Sequence, residues 1–125
     1  MPKPKPTIGI FGGNEFHENC LEIDRSICNL YPINKVKVLI LPTAAANENP
    51  ELATRNGINH FKKIGIKVSG LNLVTKKQSN DKCFLNPINE SNIIYLTGGN
   101  PRYLNSILQN SKAIGEIKKA LSLGS

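Results

Sequence analysis

The sequence predicts an α/β domain in which a parallel sheet carries helices on both faces. Two observations point there. Four short runs rich in Ile, Val and Leu alternate with segments of helical apolar spacing, the order that strand–helix–strand units produce. The runs are near-continuous in hydrophobicity and mostly followed by turn residues, as strands covered on both sides are. A length of 125 residues suits a single core.

The four strands are expected at Thr7 to Phe11, Val36 to Leu41, Ile66 to Leu73 and Ile93 to Leu96. Between the first two, Cys20, Ile23, Ile27 and Tyr31 recur at helical spacing. They leave Glu18, Glu22 and Arg25 for solvent, and Pro32 ends the helix. A second helix starts at Asn49-Pro50-Glu51. There Asn can cap the free amides, Pro has the φ of a first turn, and Glu suits the positive end of the dipole. Its buried stripe is Leu52, Ile58, Phe61 and Ile64, with Gly65 as terminator. Asn100-Pro101 repeats the start signal for a third helix bearing Leu104, Ile107 and Leu108. Ser111 caps a fourth bearing Ile114, Ile117 and Leu121, which stops at Gly124. Lys76 to Asn92 has neither period and reads as a long connection with a brief strand at Cys83 to Leu85. The abundant asparagines read as compositional bias.

Composition removes several function classes. No apolar run approaches the ~20 residues of a membrane-spanning helix, and Met1 to Pro6 reads as a short disordered tail, with the domain running from residue 7 to 125. A cytoplasmic protein with no membrane partner is expected. Cys20, Cys28 and Cys83 are odd in number and unpaired in spacing, so they read as reduced core thiols. His17 and His60 stand apart from any Cys or His cluster. They are expected at surface or helix-face positions, and no metal or cofactor is expected. The formal charge of +7 is diffuse, with Lys62-Lys63, Lys76-Lys77 and Lys118-Lys119 in separate segments and few aromatics among them. That pattern argues against a nucleic-acid partner.

Chemistry is expected beyond the carboxyl ends of the strands. Two glycine pairs fall there: Gly12-Gly13 after the first strand, and Gly98-Gly99, followed by Asn100, after the fourth. Such turns let backbone N–H groups approach a ligand, and the second stands directly before a helix N-terminus, a place for an oxyanion. Both pairs could equally be tight strand-to-helix turns. Pro42-Thr43-Ala44-Ala45-Ala46 adds small residues to the same rim. It lacks the acidic residue that a dinucleotide site wants for the ribose. Ser122 and Ser125 lack a Gly-x-Ser-x-Gly setting, so no nucleophilic constellation is present.

Four pieces occur here in a family's order: Gly12-Gly13-Asn14-Glu15-Phe16, Leu41-Pro42-Thr43-Ala44-Ala45, His60-Phe61-Lys62-Lys63-Ile64-Gly65 and Tyr95-Leu96-Thr97-Gly98-Gly99-Asn100-Pro101. From Thr7 onward the chain resembles the serine peptidases that include cyanophycinase and α-aspartyl dipeptidase (dipeptidase E). The resemblance implies a flavodoxin-like sheet of the class I glutamine amidotransferase type, truncated after its fourth strand and the helices that follow. It implies a serine on a strand-to-helix elbow, with His and acidic partners, all beyond Ser125. Only the oxyanion and substrate side, at Gly98, Gly99, Asn100, Gly12 and Gly13, would then lie in this chain. The implied substrate is a small peptide or isopeptide, cleaved once the domain is completed. The chain alone is expected to be inactive, with a homodimer as a candidate assembly. A glutamine amidotransferase-like relative and a non-catalytic binding module or pseudoenzyme are the alternative readings of the same fold.

Overall fold

The computed structural model describes residues 8, 16, 20–32 and 34–123. The expected tail, most of the Thr7 to Phe11 strand, Gly12-Gly13, Glu18 and Gly124 lie outside the described residues. Three parallel strands form the described sheet: β1 (Lys37–Leu41), β2 (Lys67–Gly70) and β3 (Ile93–Leu96), in the order β2-β1-β3. Lys37 to Ile40 of β1 stand opposite Lys67 to Gly70, and Val38 to Leu41 stand opposite Ile93 to Leu96. Helices α1 (Leu21–Cys28), α2 (Pro50–Ile64), α3 (Lys76–Ser79), α4 (Asn86–Asn89), α5 (Pro101–Leu108) and α6 (Lys112–Ser122) complete the fold.

Strand side chains alternate between faces, and β1 splits the core accordingly. Leu39 and Leu41 join Leu85, Ile88, Ile107, Leu108 and Ala120 on the side of α4, α5 and α6. Val38 and Ile40 join Cys28, Phe61 and Tyr95 on the side of α1 and α2. The expected α/β architecture with helices on both faces is therefore present.

Local cap signals are obeyed. Asn49 Oδ1 accepts from the Leu52 N–H at 3.1 Å, and Ser111 Oγ accepts from the Ile114 N–H at 3.1 Å. Gly65 closes α2 at φ 84°. The third strand-like run, expected at Ile66 to Leu73, is shorter than its composition suggests and spans Lys67–Gly70. Leu71 still donates to the Ile40 carbonyl, but the Leu73 N–H turns back to the Leu71 carbonyl at 2.7 Å, which ends the extended path. Lys76 to Asn92 is not a plain connection, because it folds into α3 and α4, and Cys83 to Leu85 is a turn, not a strand. Asp81 accounts for this: its side chain accepts from the Cys83 and Phe84 N–H groups at 3.1 and 3.2 Å, bending the backbone away from pairing. Thr75 and Gln78 form a capping box on α3. Lys76 Nζ then donates to the Ile107 and Gln109 carbonyls, and the Tyr103 hydroxyl donates to the Val74 carbonyl, tying this segment to α5.

Helix α1 is turned from its expected setting. Cys20, Asp24 and Cys28 are buried, while Ile23 is 49% exposed. The cause is a buried pair: Asp24 Oδ2 lies 2.5 Å from His60 Nε2 of α2, with side chains 2% and 3% exposed. Burying a carboxylate costs free energy unless it is paired, so this contact outweighs the gain from covering Ile23. His60 thus sits on the buried face of α2. Around it, Phe16 lies 5.7 Å and Phe61 5.2 Å from its ring, and Phe16 also lies 4.7 Å from the Tyr95 ring. Leu52, expected in the buried stripe, is 43% exposed at the first turn of α2.

Burial raises the Asp24 pKa above its ordinary 3.8, against the hydrogen bond and charge of His60, which lower it. A carboxyl raised in the folded state stabilises most below its unfolded pKa and loses that contribution as pH rises through the folded value. Stability relative to an Asp24→Asn variant should therefore fall as pH rises from about 4 toward neutrality; equal slopes in chemical denaturation would contradict it. At neutral pH, His60→Ala should cost about 1–3 kcal/mol because it leaves the buried Asp24 carboxyl without its hydrogen-bond partner, and Asp24→Asn clearly less.

The thiols separate as well. Cys20 and Cys28 are buried and Cys83 is exposed, so Cys83 departs from the expected core role. Burial first, and the Asp24 charge second, push the Cys28 thiol up to about 11. Titration of the folded protein with a thiol reagent at neutral pH should modify Cys83 rapidly and Cys20 and Cys28 only on unfolding. Rapid loss of all three thiols would show that α1 does not stay packed.

Candidate functional site

The chain passes outward from β1 to β2 and then crosses back to β3 on the other side of β1. Strand order therefore reverses between β1 and β3, and sheets of this kind bind ligands beyond the carboxyl ends of the strands at such a point. The loops that leave these two strands are residues 42–46 and 97–100. The first opens as a 3₁₀ turn over Thr43–Ala45, in which the Ala45 N–H donates to the Pro42 carbonyl at 2.9 Å.

Main-chain hydrogen bonds clasp the loops together. The Thr97 N–H donates to the Leu41 carbonyl at 3.2 Å, and the Asn100 N–H donates to the Ala44 carbonyl at 2.7 Å. Gly99 sits between these bonds with φ 147°. A Cβ there would lie 2.2 Å from the Ala44 carbonyl oxygen. Glycine is needed on two grounds, backbone conformation and close approach.

Asn100 has a structural task. Its Oδ1 accepts from the Arg102 and Tyr103 N–H groups at 2.9 and 3.1 Å, and its carbonyl accepts from the Leu104 N–H at 3.0 Å. Pro101 has no N–H, so the first turn of α5 has its donors already committed. The helix dipole still adds positive potential, but an arriving anion would have to take its hydrogen bonds from the turn itself. Gly98 and Gly99 are exposed, and no hydrogen bond among the described residues uses the Gly99 N–H. The sequence motif thus marks the turn correctly, while the commitment of Asn100 to Ala44 depends on a contact between distant segments.

Two hydroxyls flank the clasp. Thr43 Oγ1 and Thr97 Oγ1 are buried and have no hydrogen-bond partner among the described residues, an arrangement that costs about 1–3 kcal/mol for each group. Sequence reasoning placed Thr43 on the rim and Thr97 in the turn after the fourth strand, and had no signal for their unmet hydrogen bonds. Gly12 and Gly13 lie outside the described residues. The buried serines are structural, since Ser79, Ser91 and Ser111 donate to the carbonyls of Lys76, Pro87 and Leu108. Among the described residues no cluster of His, Cys, Asp or Glu is placed to hold a metal ion. Nor is any helix long and apolar enough to cross a membrane.

Comparison with known proteins agrees with this geometry. The profile of peptidase family S51 matches residues 8–125. A solved structure of a peptidase from an acI-B1 Actinobacterium superposes with a TM-score of 0.79 at 22% identity. The match covers 91% of this chain and 49% of the peptidase, so the chain spans about half the length of that protein. No curated protein matches the chain. With the family profile running along nearly its full length, the chain belongs to peptidase family S51, the family of cyanophycinase and dipeptidase E-like serine peptidases.

Proposed function

We propose that this chain is the oxyanion and substrate side of a serine peptidase acting on small peptides or isopeptides, and that it is inactive unless a nucleophile is supplied. The observation that carries this reading is the clasped Gly98-Gly99 turn at the switch point, in a chain of peptidase family S51.

The proposed chemistry is acyl transfer. A serine hydroxyl from outside these residues attacks the scissile carbonyl and gives its proton to a histidine base. The oxygen that becomes negative accepts a hydrogen bond from the Gly99 N–H, in the positive field of α5. Collapse expels the amine, which takes up that proton, and water then hydrolyses the acyl ester. No cofactor enters. Hydroxyls left buried and unbonded beside a ligand-binding edge are a cost that functional sites carry, and they support placing the site here. A cytoplasmic setting belongs to the same proposal, supported by three cysteines whose number and spacing give no disulfide framework.

Purified chain should not turn over acidic dipeptides, because an oxyanion donor without a nucleophile, base and acid supplies only a minor part of the acceleration. Turnover abolished by a serine-directed inhibitor would show a nucleophile within these residues and overturn the reading. Gly99→Ala should cost about 2 kcal/mol by forcing the Ala44 carbonyl away. In a form of the protein that holds the nucleophile, it should also lower kcat by at least about tenfold, with a smaller effect on KM. Unchanged kcat in a folded Gly99→Ala variant would remove the turn from the site.

A further inference from the structure

Lysines scattered through the sequence are gathered by the fold at one end of the sheet. Lys37 opens β1 and Lys67 opens β2, and the two are partners in the parallel ladder, on neighbouring strands about 4.8 Å apart. Lys35 lies in the turn that leads into β1, where its N–H donates to the Pro32 carbonyl at 2.8 Å. Lys62 and Lys63 occupy the last turn of α2, which Gly65 closes just before β2. Lys35, Lys62, Lys63 and Lys67 are exposed. Among the described residues, the carboxylate that reaches this group is Glu90, 3.7 Å from Lys37. Acidic residues gather at the other end of the sheet instead. Glu48 follows β1 and Glu51 lies in the first turn of α2. Glu22 opens α1, whose far end reaches the start of β3 through the Tyr31 hydroxyl and the Asn92 carbonyl.

We propose that this lysine face, at the amino ends of β1 and β2, docks an acidic segment of a partner polypeptide. The helix dipole accounts for Lys62 and Lys63, which suit the negative end of α2. It does not account for Lys37 opposite Lys67, because like charges directly opposite one another in a sheet oppose folding. An anionic partner relieves that repulsion. The Glu90 contact shows the chemistry that fits: a carboxylate set against Lys37. Nucleic acid fits less well, since Phe61 is the aromatic residue within 34–37 and 61–67 and is 2% exposed, which leaves no ring on which bases could stack. A membrane surface also fits less well. Val36 and Ile66, which precede Lys37 and Lys67, are buried and cannot enter a bilayer. A segment docked here leaves the Gly98-Gly99 turn at the opposite end open, so the interaction is independent of the peptidase reading.

Titration of the intact 125-residue chain with poly-L-glutamate at low ionic strength tests this directly. Binding should weaken as salt is added, because exposed charges are screened. The pair Lys35→Gln and Lys67→Gln, and separately the pair Lys62→Gln and Lys63→Gln, should each weaken it about tenfold. Lys118→Gln with Lys119→Gln, on α6 and also exposed, should leave it unchanged. An equal loss in the α6 pair overturns the proposal by showing that only net charge acts. No binding at low salt also overturns it. Duplex DNA or phosphatidylserine vesicles that bind more tightly through the same lysines would overturn the choice of a polypeptide. Should a variant not fold, amide shift changes in the unmodified chain on adding poly-L-glutamate decide. They should centre on residues 35–37 and 62–67, and changes centred elsewhere count against the face.

Discussion

Everything in the fold is referred to one strand that touches solvent almost nowhere. Val38, Leu39, Ile40 and Leu41 of β1 are each 0% exposed, and both edges of the strand are hydrogen-bonded to neighbours in parallel. A strand buried on both faces and both edges has no freedom of register, because a one-residue slip would exchange the contents of the two cores. The loops at its carboxyl end inherit that certainty. Leu41 and Ala44 offer carbonyls at fixed positions, and the turn after β3 is built onto them.

The buried pair between α1 and α2 shows how one polar contact can choose among apolar alternatives. By spacing alone, Ile23 should face inward and the acidic residues outward. Asp24 instead goes to His60, and Ile23 stays half exposed. Buried polar pairs contribute little net stability over apolar residues of similar volume. What this one does is select the rotation of α1. Asn92 plays a comparable part with neutral groups. Its Oδ1 accepts from the Lys37 N–H at 2.9 Å, and its carbonyl accepts from the Tyr31 hydroxyl at 3.1 Å. One residue thus holds the starts of β1 and β3 in register beside the end of α1.

What could be read from the sequence was what depends on neighbours in the chain. Asn49, Asn100 and Ser111 cap helices because the atoms they serve are two or three residues away. The three described strands were legible because their apolar runs are short and bounded by turn residues. The setting of α1 was hidden because His60 is 36 residues from Asp24. Treating the asparagines as bias hid Asn92 and Asn80, whose partners Lys37 and Lys112 are 55 and 32 residues away. At the site, the glycine turn was visible from Gly98-Gly99. The reason that Gly99 admits no side chain was not, because the obstructing atom belongs to Ala44 on another loop.

The clasp between the loops after β1 and β3 is made of main-chain atoms on both sides. Its geometry is therefore almost independent of which residues occupy those loops. Substitutions at Ala46 or Asn47, which are not buried, could reshape the rim in descendants of this chain while the donors and acceptors stay where they are. Gly99 alone is held to one residue type. A binding edge built this way can diverge in specificity over long lineages without rebuilding its frame.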